Sequence, residues 1–251
     1  MEEKGISKQL AENYVYSSGL TIYSTVDTNI QTQMEEEFKK DKYIVTGRDK
    51  DKDGNKINEH TQAAMVVIDY KTGNVVGTVG GLGEKTESRG LNRATQSVRQ
   101  TGSSIKPVAI IAPALQEKVI TAATTYMDEE TNFGGNYIPK KENGKFRNQP
   151  VNIRYFISKS LNIPALKIMR ELSPEKSIEY LNKMGITSIK ADEDNELSLA
   201  LGGTKNGATP LEMASAYATI ANDGVYITPT FYTKVVDSSG NTVLTPKQEQ
   251  T

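Results

Sequence analysis

Short runs of β-branched and apolar residues lie near both ends of this 251-residue chain, and the segments between them have helical patterns. Residues 19–27 alternate as a strand does, and residues 63–81 have the pattern of a hairpin that turns at residues 71–74. Residues 226–244 have the pattern of a second hairpin, which turns at residues 238–241. Strands that flank a helical middle favour an α+β domain with a mainly antiparallel sheet.

The helical middle carries clear start and stop signals. Asp27 can cap a helix over the residues that follow it. Residues 173–185 open with Ser and Pro and close with Gly, and residues 209–224 repeat that order, with Thr209 and Glu212 spaced as a capping box. These segments are predicted to be helices.

Two further segments have weaker patterns. Residues 151–172 are helical in pattern but are interrupted by Pro164. Residues 124–150 are polar and glycine-rich, so a loop is expected there.

Composition excludes several classes of protein. The net charge is −1, with basic and acidic residues interspersed, which argues against a nucleic-acid partner. No cysteine is present, so neither a disulfide framework nor a sulfur-based zinc site can form. No apolar run approaches the roughly 18 residues that a membrane span needs, and the N-terminus lacks the pattern of a signal peptide. We therefore expect either a cytosolic protein or a piece of a longer one.

The stretch RQTGSSIKPVAIIAPAL places a lysine three residues after a serine, where an apolar helical pattern begins. Gly102 can release the chain from extended geometry, and Pro107 is tolerated in a first turn, so a helix is expected to begin near Ser103. Residues three apart share a helix face, so the Ser103 hydroxyl and the Lys106 amine can meet. The pair is a candidate nucleophile and base, and the alternative is a capping serine beside a solvated lysine.

A second polar pair lies in the stretch SKSLNIPAL. Ser160 and Asn162 are two residues apart, so in an extended or turn segment their side chains point the same way. A hydroxyl and a carboxamide that project together can relay a proton and hold a substrate amide. The alternative is a loop serine followed by an asparagine that ends a helix.

Three stretches in order, RQTGSSIKP, ISKSLNIPALKI and LALGGTKNGATPLEMASAYATIANDGVY, resemble the transpeptidase domain of penicillin-binding proteins. The third is more similar to the bifunctional class A members than to class B. The resemblance covers roughly residues 19–244. It implies the acyl-serine transpeptidase fold, which is also that of the serine β-lactamases and has a mainly antiparallel sheet packed with helices.

The resemblance also implies roles for the matching residues. Ser103 would be the acylated nucleophile, and Lys106 the base that takes its proton. Ser160 would relay the proton to the leaving amine, Asn162 would hold the amide of the donor peptide, and no metal or organic cofactor is implied. A lysine with the usual pKa of about 10.4 is a poor base at neutral pH, so burial or a cationic neighbour would have to lower that pKa.

One family motif is not found where it is expected. A Lys-Thr-Gly strand should follow the Ser-x-Asn element, but the chain holds that tripeptide once, at residues 71–73, in the first hairpin turn. GTKNG at residues 203–207 is a near miss. We therefore expect residues 19–251 to be an incomplete transpeptidase domain that lacks its C-terminal strands and helix. Residues 1–18 would link it to an upstream region, and the chain alone would be inactive unless a second polypeptide completes it.

Two other patterns in the sequence resemble parts of known sites. Asp49, Asp51 and Asp53 precede Gly54 as in the opening of a calcium loop, but the twelfth position is His60 rather than glutamate, so a solvated loop is favoured. His60 is the only histidine, so a Ser-His-Asp triad would have to use it, and it lies beside no serine motif.

The leading hypothesis is a D,D-transpeptidase that cross-links peptidoglycan stem peptides and is acylated by β-lactams at Ser103. The resemblance to class A members implies a membrane anchor and an upstream glycosyltransferase domain in the parent protein, and a location on the outer face of the cytoplasmic membrane. The alternatives are an acyl-serine hydrolase, either a D,D-carboxypeptidase or a β-lactamase, and a non-catalytic wall-binding or sensing relative.

Overall fold

The computed structural model describes residues 5, 7–43, 61–135, 137–139 and 145–251. Within these residues lie seven short strands, which supply one three-stranded sheet and two hairpin-like pairs. The strands are β1 (Thr21–Ser24), β2 (Met65–Asp69), β3 (Asn74–Val79), β4 (Thr125–Met127), β5 (Pro150–Asn152), β6 (Tyr232–Val236) and β7 (Thr242–Leu244).

The helices of the described residues fill the middle of the chain. They are α1 (Lys8–Ser17), α2 (Thr28–Phe38), α3 (Arg93–Gln96), α4 (Ala112–Gln116), α5 (Ile153–Lys159), α6 (Asn162–Leu172), α7 (Pro174–Lys183), α8 (Ala191–Asp194) and α9 (Pro210–Ala221). Short 3₁₀ turns span Asp41–Tyr43, Gly102–Ile105 and Leu197–Leu201, and a π-helical turn spans Pro107–Ile111.

Each pair of strands in the described part of the chain is antiparallel, and the largest sheet there joins segments from near the two ends of the sequence. Its strand order is β1-β6-β7, with Thr21 opposite Val236 in the β1–β6 pair. Strands β2 and β3 form the first hairpin, and β6 and β7 form the second. The predicted α+β class with a mainly antiparallel sheet is confirmed.

The hydrophobic core forms around residues 102–116, which we call the central helical run. Ile105, Val108 and Ile110 of this run are fully buried, together with Leu166 of α6 and Leu181 of α7. Burying a side chain of this size contributes about 1.5–3 kcal/mol, so the start of the central helical run is held in place by packing on several sides.

The predicted helix starts are present with their caps. The Asp27 carboxylate accepts from the main-chain N–H groups of Asn29 and Ile30 at the start of α2. Thr209 and Glu212 form the capping box at the start of α9. These side chains satisfy N–H groups that have no partner within the helix, which fixes where each helix begins.

Two expectations differ from the structure. The predicted loop 124–150 contains β4 and the first residue of β5, which pair with each other. The helical pattern of residues 151–172 breaks at Ser160 and Leu161 rather than at Pro164. Pro164 is the third residue of α6, where its missing N–H would have no partner in any case.

Two further sequence predictions concern the N-terminal segment and the charged segment at residues 49–60. Residues 1–18, predicted to be a linker, include α1, and the domain boundary at residue 19 stays a prediction. Asp49, Asp51, Asp53 and His60 lie outside the described residues. Across the part of the chain that is described, no helix has both the length and the apolar character to cross a membrane.

Candidate active site

The central helical run begins with a 3₁₀ turn that carries Ser103. The N–H of Lys106 donates to the carbonyl of Ser103, and side chains three apart are eclipsed in a 3₁₀ turn. Pro107 cannot donate to that carbonyl, so the usual i→i−4 bond of an α-helix is missing at this point. The helix expected near Ser103 is present, and its first turn is tighter than an α-helix.

Ser103 and Lys106 differ sharply in exposure. Ser103 is exposed, whereas Lys106 is only 4% exposed. A buried amine needs hydrogen-bond acceptors around it because burial without them is costly.

The acceptors for Lys106 come from the second motif. Its Nζ donates to the carbonyl of Ser160 at 2.6 Å and to the side-chain oxygen of Asn162 at 2.8 Å. It also lies 3.2 Å from the Ser160 hydroxyl and 3.3 Å from the carbonyl of Leu161. The structure therefore brings three of the four predicted site residues into direct contact, with Ser103 one turn away from Lys106.

The backbone between α5 and α6 explains how residues 160 and 162 reach one amine. Ser160 ends α5 in the left-handed region with φ 51°, Leu161 is extended, and Asn162 begins α6. This reversal turns the carbonyls of residues 160 and 161, and the side chain of residue 162, toward Lys106. The two side chains point the same way, as the spacing predicted.

Residues 202–208 hold the chain that leads into Ser103. A methyl group at Gly202, whose φ is +77°, would overlap the backbone of Gly102. Gly207, with φ +91°, lies against the carbonyl of Arg99 in the same way, and Ala208 and Arg99 exchange both backbone hydrogen bonds. Glycine is required at positions 202 and 207 because no side chain fits between the two backbones.

Two side chains add to this support. The Gln100 side chain donates to the carbonyl of Thr204 at 3.0 Å. The Tyr217 hydroxyl, on α9, donates to the carbonyl of Ser104 at 2.7 Å. The sequence reasoning did not assign a role to Gln100, Gly202, Gly207 or Tyr217. The two glycines in LGG and the glycine in NG are the available signal in the sequence, since glycine often marks close backbone approach.

Glu212, at the start of α9, forms hydrogen bonds to the loop at residues 187–188, which is next to residues 202–208. Its carboxylate accepts from the backbone and hydroxyl of Ser188, and from the backbone N–H of Thr187 and Thr209. Burial opposes ionisation, but these hydrogen bonds outweigh it, so the pKa of Glu212 is lowered from its ordinary value. The single hydroxyl proton of Ser188 is shared between Glu212, at 3.0 Å, and the carbonyl of Gly207, at 2.7 Å, which connects Glu212 to residues 202–208.

An exposed serine at a helical start, a buried lysine one turn on and a serine–asparagine pair around its amine together define a candidate acyl-serine site. The family model of the penicillin binding protein transpeptidase domain matches residues 63–251. The chain belongs to this family, and its curated relatives are of class A.

Two curated relatives illustrate the match. Penicillin-binding protein 1A of Clostridium botulinum is 34% identical over an alignment of 245 residues, which covers 94% of this chain and 29% of the relative. Penicillin-binding protein 1F of Bacillus subtilis is 33% identical over 231 residues, covering 92% of this chain and 30% of the relative. The chain thus spans about three tenths of the length of these relatives.

Solved structures show the same fold. Penicillin-binding protein 1A from Haemophilus influenzae superposes with a TM-score of 0.73 at 21% identity, covering 100% of this chain and 49% of that one. The PonA1 protein of Mycobacterium tuberculosis, solved in complex with penicillin V, gives a TM-score of 0.74 at 26% identity, covering 97% of this chain and 61% of that one.

Proposed function

We propose that this chain carries the acylation site of a D,D-transpeptidase, with Ser103 as the nucleophile that a stem peptide or a β-lactam acylates. The observation that carries the proposal is the contact of the buried Lys106 amine with both Ser160 and Asn162, one turn from the exposed Ser103. In an acyl-serine enzyme the nucleophile needs a nearby base and a route for the proton.

The first half of the reaction forms the acyl-enzyme. The Ser103 oxygen attacks the carbonyl of the penultimate D-alanine of the donor, and its proton passes to Lys106. The carbon–nitrogen bond to the terminal D-alanine then breaks, and the leaving amine takes a proton relayed through Ser160. The backbone N–H of Ser103 at the start of the helical run can serve as one oxyanion donor.

The second half of the reaction reverses the proton path. An amine from a neighbouring stem attacks the acyl-enzyme, gives up a proton through Ser160 to Lys106, and releases Ser103 with its proton restored. Asn162 accepts a hydrogen bond from Lys106, and in this proposal its side chain also holds the donor amide. Attack by water instead would give a carboxypeptidase or a β-lactamase.

The proposal includes the setting of the reaction. The substrates are peptidoglycan stem peptides and β-lactams are inhibitors. The parent protein is membrane-anchored on the outer face of the cytoplasmic membrane and bears a glycosyltransferase domain. The support for this part is the likeness to class A relatives.

Covalent labelling tests the proposal. The 251-residue chain is treated with a fluorescent penicillin, alone and with a second polypeptide from a relative that carries a Lys-Thr-Gly strand, and the labelled peptide is identified by mass spectrometry. We expect one adduct, on Ser103, in at least one of the two conditions. Absence of label in both, or label that survives Ser103→Ala, contradicts the proposal.

Two controls sharpen the assignment. Ser104→Ala removes the neighbouring exposed hydroxyl and should leave the site of labelling at Ser103. A chromogenic cephalosporin separates the transpeptidase from a β-lactamase, because a transpeptidase gives one stoichiometric burst and a β-lactamase gives steady turnover.

A further inference from the structure

Two prolines remove hydrogen-bond donors from the central helical run. In the 3₁₀ register of Gly102–Ile105, the next donor for the carbonyl of Ser104 would be residue 107, which is proline. Ala109 lies in the π-helical turn Pro107–Ile111, just before the run changes to the α-helix Ala112–Gln116. Its i+4 neighbour is residue 113, which is also proline and supplies no N–H where the register changes.

Each of these carbonyls accepts a hydrogen bond from a side-chain hydroxyl of another helix. Tyr217 of α9 donates to Ser104 at 2.7 Å, and Ser177 of α7 donates to Ala109 at 2.6 Å. Ser177 is fully buried, and a buried carbonyl without a partner is costly. The Tyr217 hydroxyl therefore takes the place of the N–H that Pro107 lacks, and the Ser177 hydroxyl gives the Ala109 carbonyl a donor where Pro113 supplies none.

The chemistry of the two hydroxyls suits this task. Burial raises the pKa of the Tyr217 phenol, so the group keeps its proton and its donor ability through neutral pH. Serine needs no such help because its hydroxyl does not titrate in this range. Both contacts join residues far apart in the chain, 113 positions for Tyr217 and 68 for Ser177.

We propose that Tyr217 and Ser177 are positioning residues for acylation, which hold the central helical run in the form that exposes Ser103 and directs Lys106 at the second motif. This inference rests on the proposed function, since acylation is the step that it affects. An α-helical continuation from Ser103 would rotate Ser103 relative to Lys106, from the eclipsed 3₁₀ arrangement to the staggered one of 3.6 residues per turn.

The main experiment is a double-mutant cycle between Tyr217 and Pro107. Tyr217→Phe keeps the ring and removes the donor, and Pro107→Ala restores a backbone N–H that can reach the Ser104 carbonyl. At saturating β-lactam we expect Tyr217→Phe to slow acylation by about 3- to 10-fold, the value of one hydrogen bond. The same change should have little effect in the Pro107→Ala background, because the carbonyl then has another donor.

Tyr180→Phe is the matched control. Tyr180 donates its hydroxyl to Glu117, just beyond the other end of the central helical run, at 2.7 Å. It should leave the acylation rate at the wild-type value. All rates are divided by the fraction of folded protein, so that a loss of stability alone does not register as a slower step.

The second cycle pairs Ser177→Ala with Pro113→Ala. We expect Ser177→Ala to lower both the melting temperature and the acylation rate, and Pro113→Ala to reduce both effects. Amide hydrogen exchange at residues 103–106 gives a readout that needs no activity, and it should accelerate in Tyr217→Phe but not in Tyr180→Phe.

The outcomes separate this inference from the proposed function. If wild type is acylated at Ser103 but Tyr217→Phe and Ser177→Ala react at its rate, the positioning role is wrong and the function stands. If the effects of Tyr217→Phe and Pro107→Ala simply add, the two do not serve the same carbonyl and the inference is also wrong. If wild type is never acylated, the proposed function itself fails.

Discussion

The buried amine of Lys106 donates a 2.8 Å hydrogen bond to the side-chain oxygen of Asn162, which lies 56 positions further along the chain. This contact connects the start of the central helical run to the start of α6. Removal of either side chain leaves the other without one of its hydrogen-bond partners, and a buried donor or acceptor without a partner lowers the stability of the fold. The two family motifs are thus one structural unit.

Lys106→Arg should lower the rate of β-lactam acylation by at least two orders of magnitude. Arginine keeps a positive charge, but it cannot give up a proton near neutral pH and so cannot act as a base. The measurement is the rate of fluorescent penicillin labelling of folded protein. Lys167→Arg is the control, since Lys167 also donates to a main-chain carbonyl, that of Met127 at 2.9 Å, and it should react as wild type. Near-normal labelling of Lys106→Arg would refute the base role.

Asn162→Ala should destabilise the protein by about 1–3 kcal/mol, because the buried Lys106 amine loses one of its acceptors. It should also slow acylation, since Asn162 no longer orients the amine. Urea unfolding and labelling rates measure the two effects. Asn206→Ala, which removes an exposed contact to Glu193, should change neither. Equal stability of Asn162→Ala and wild type would contradict the role of Asn162 as a required acceptor.

Gly202→Ala should reduce both stability and acylation strongly, because the added methyl group overlaps the backbone of Gly102 and pushes the Ser103 turn out of place. Gly224→Ala is a matched control: Gly224 also has a positive φ, +88°, but its added methyl would meet no atom within 4 Å. It carries the backbone strain without the overlap. Similar behaviour of the two variants in thermal melts and labelling would show that the contact between residues 202 and 102 is unimportant.

Glu212→Gln should be less stable than wild type at neutral pH, and the difference should shrink in acid. The folded pKa of Glu212 is lowered, so its carboxylate contributes stability that is fully present above the ordinary value of 4.5. That contribution is lost as the pH falls through the folded pKa, because protonation removes the negative charge and turns one oxygen into a donor, so the hydrogen bonds from residues 187, 188 and 209 are weakened or lost. Thermal melts from pH 7 to pH 3 measure it.

Glu175→Gln is the control for this pH series. Glu175 occupies the first turn of α7, as Glu212 does in α9, but it is exposed. Its replacement should change the melting temperature little at any pH. A stability difference between Glu212→Gln and wild type that stays constant down to pH 3 would contradict the role of the Glu212 carboxylate.

Some features of this protein were predictable from the sequence because they depend on neighbours in the chain. The caps at Asp27 and Thr209 and the two hairpins are local, so spacing alone predicted them. The spacing of Ser103 and Lys106 placed them on one face for the same reason. The order of the long motifs identified the family.

Other features depend on contacts between segments that are far apart in the sequence. The segments of β4 and β5 have a loop-like composition, but they form strands because they pair with each other, although about 25 residues separate them in the sequence. The helical pattern breaks at Ser160, whose left-handed backbone conformation depends on its tertiary surroundings and has no strong signal in the sequence. The sequence predicts the break at Pro164 instead, because proline has a stronger local effect on a helix.

The sequence by itself determined the family, through the resemblance of its long motifs. It also determined the α+β class and the local placement of the residues in the two motifs, since periodicity, capping and spacing are properties of short segments. Only the tertiary structure decided which groups meet: the Lys106 amine with residues 160–162, Gly202 with Gly102, and the hydroxyls of Tyr217 and Ser177 with their carbonyls. The reason is physical, because these contacts form between elements whose relative placement is fixed by packing of the shared core.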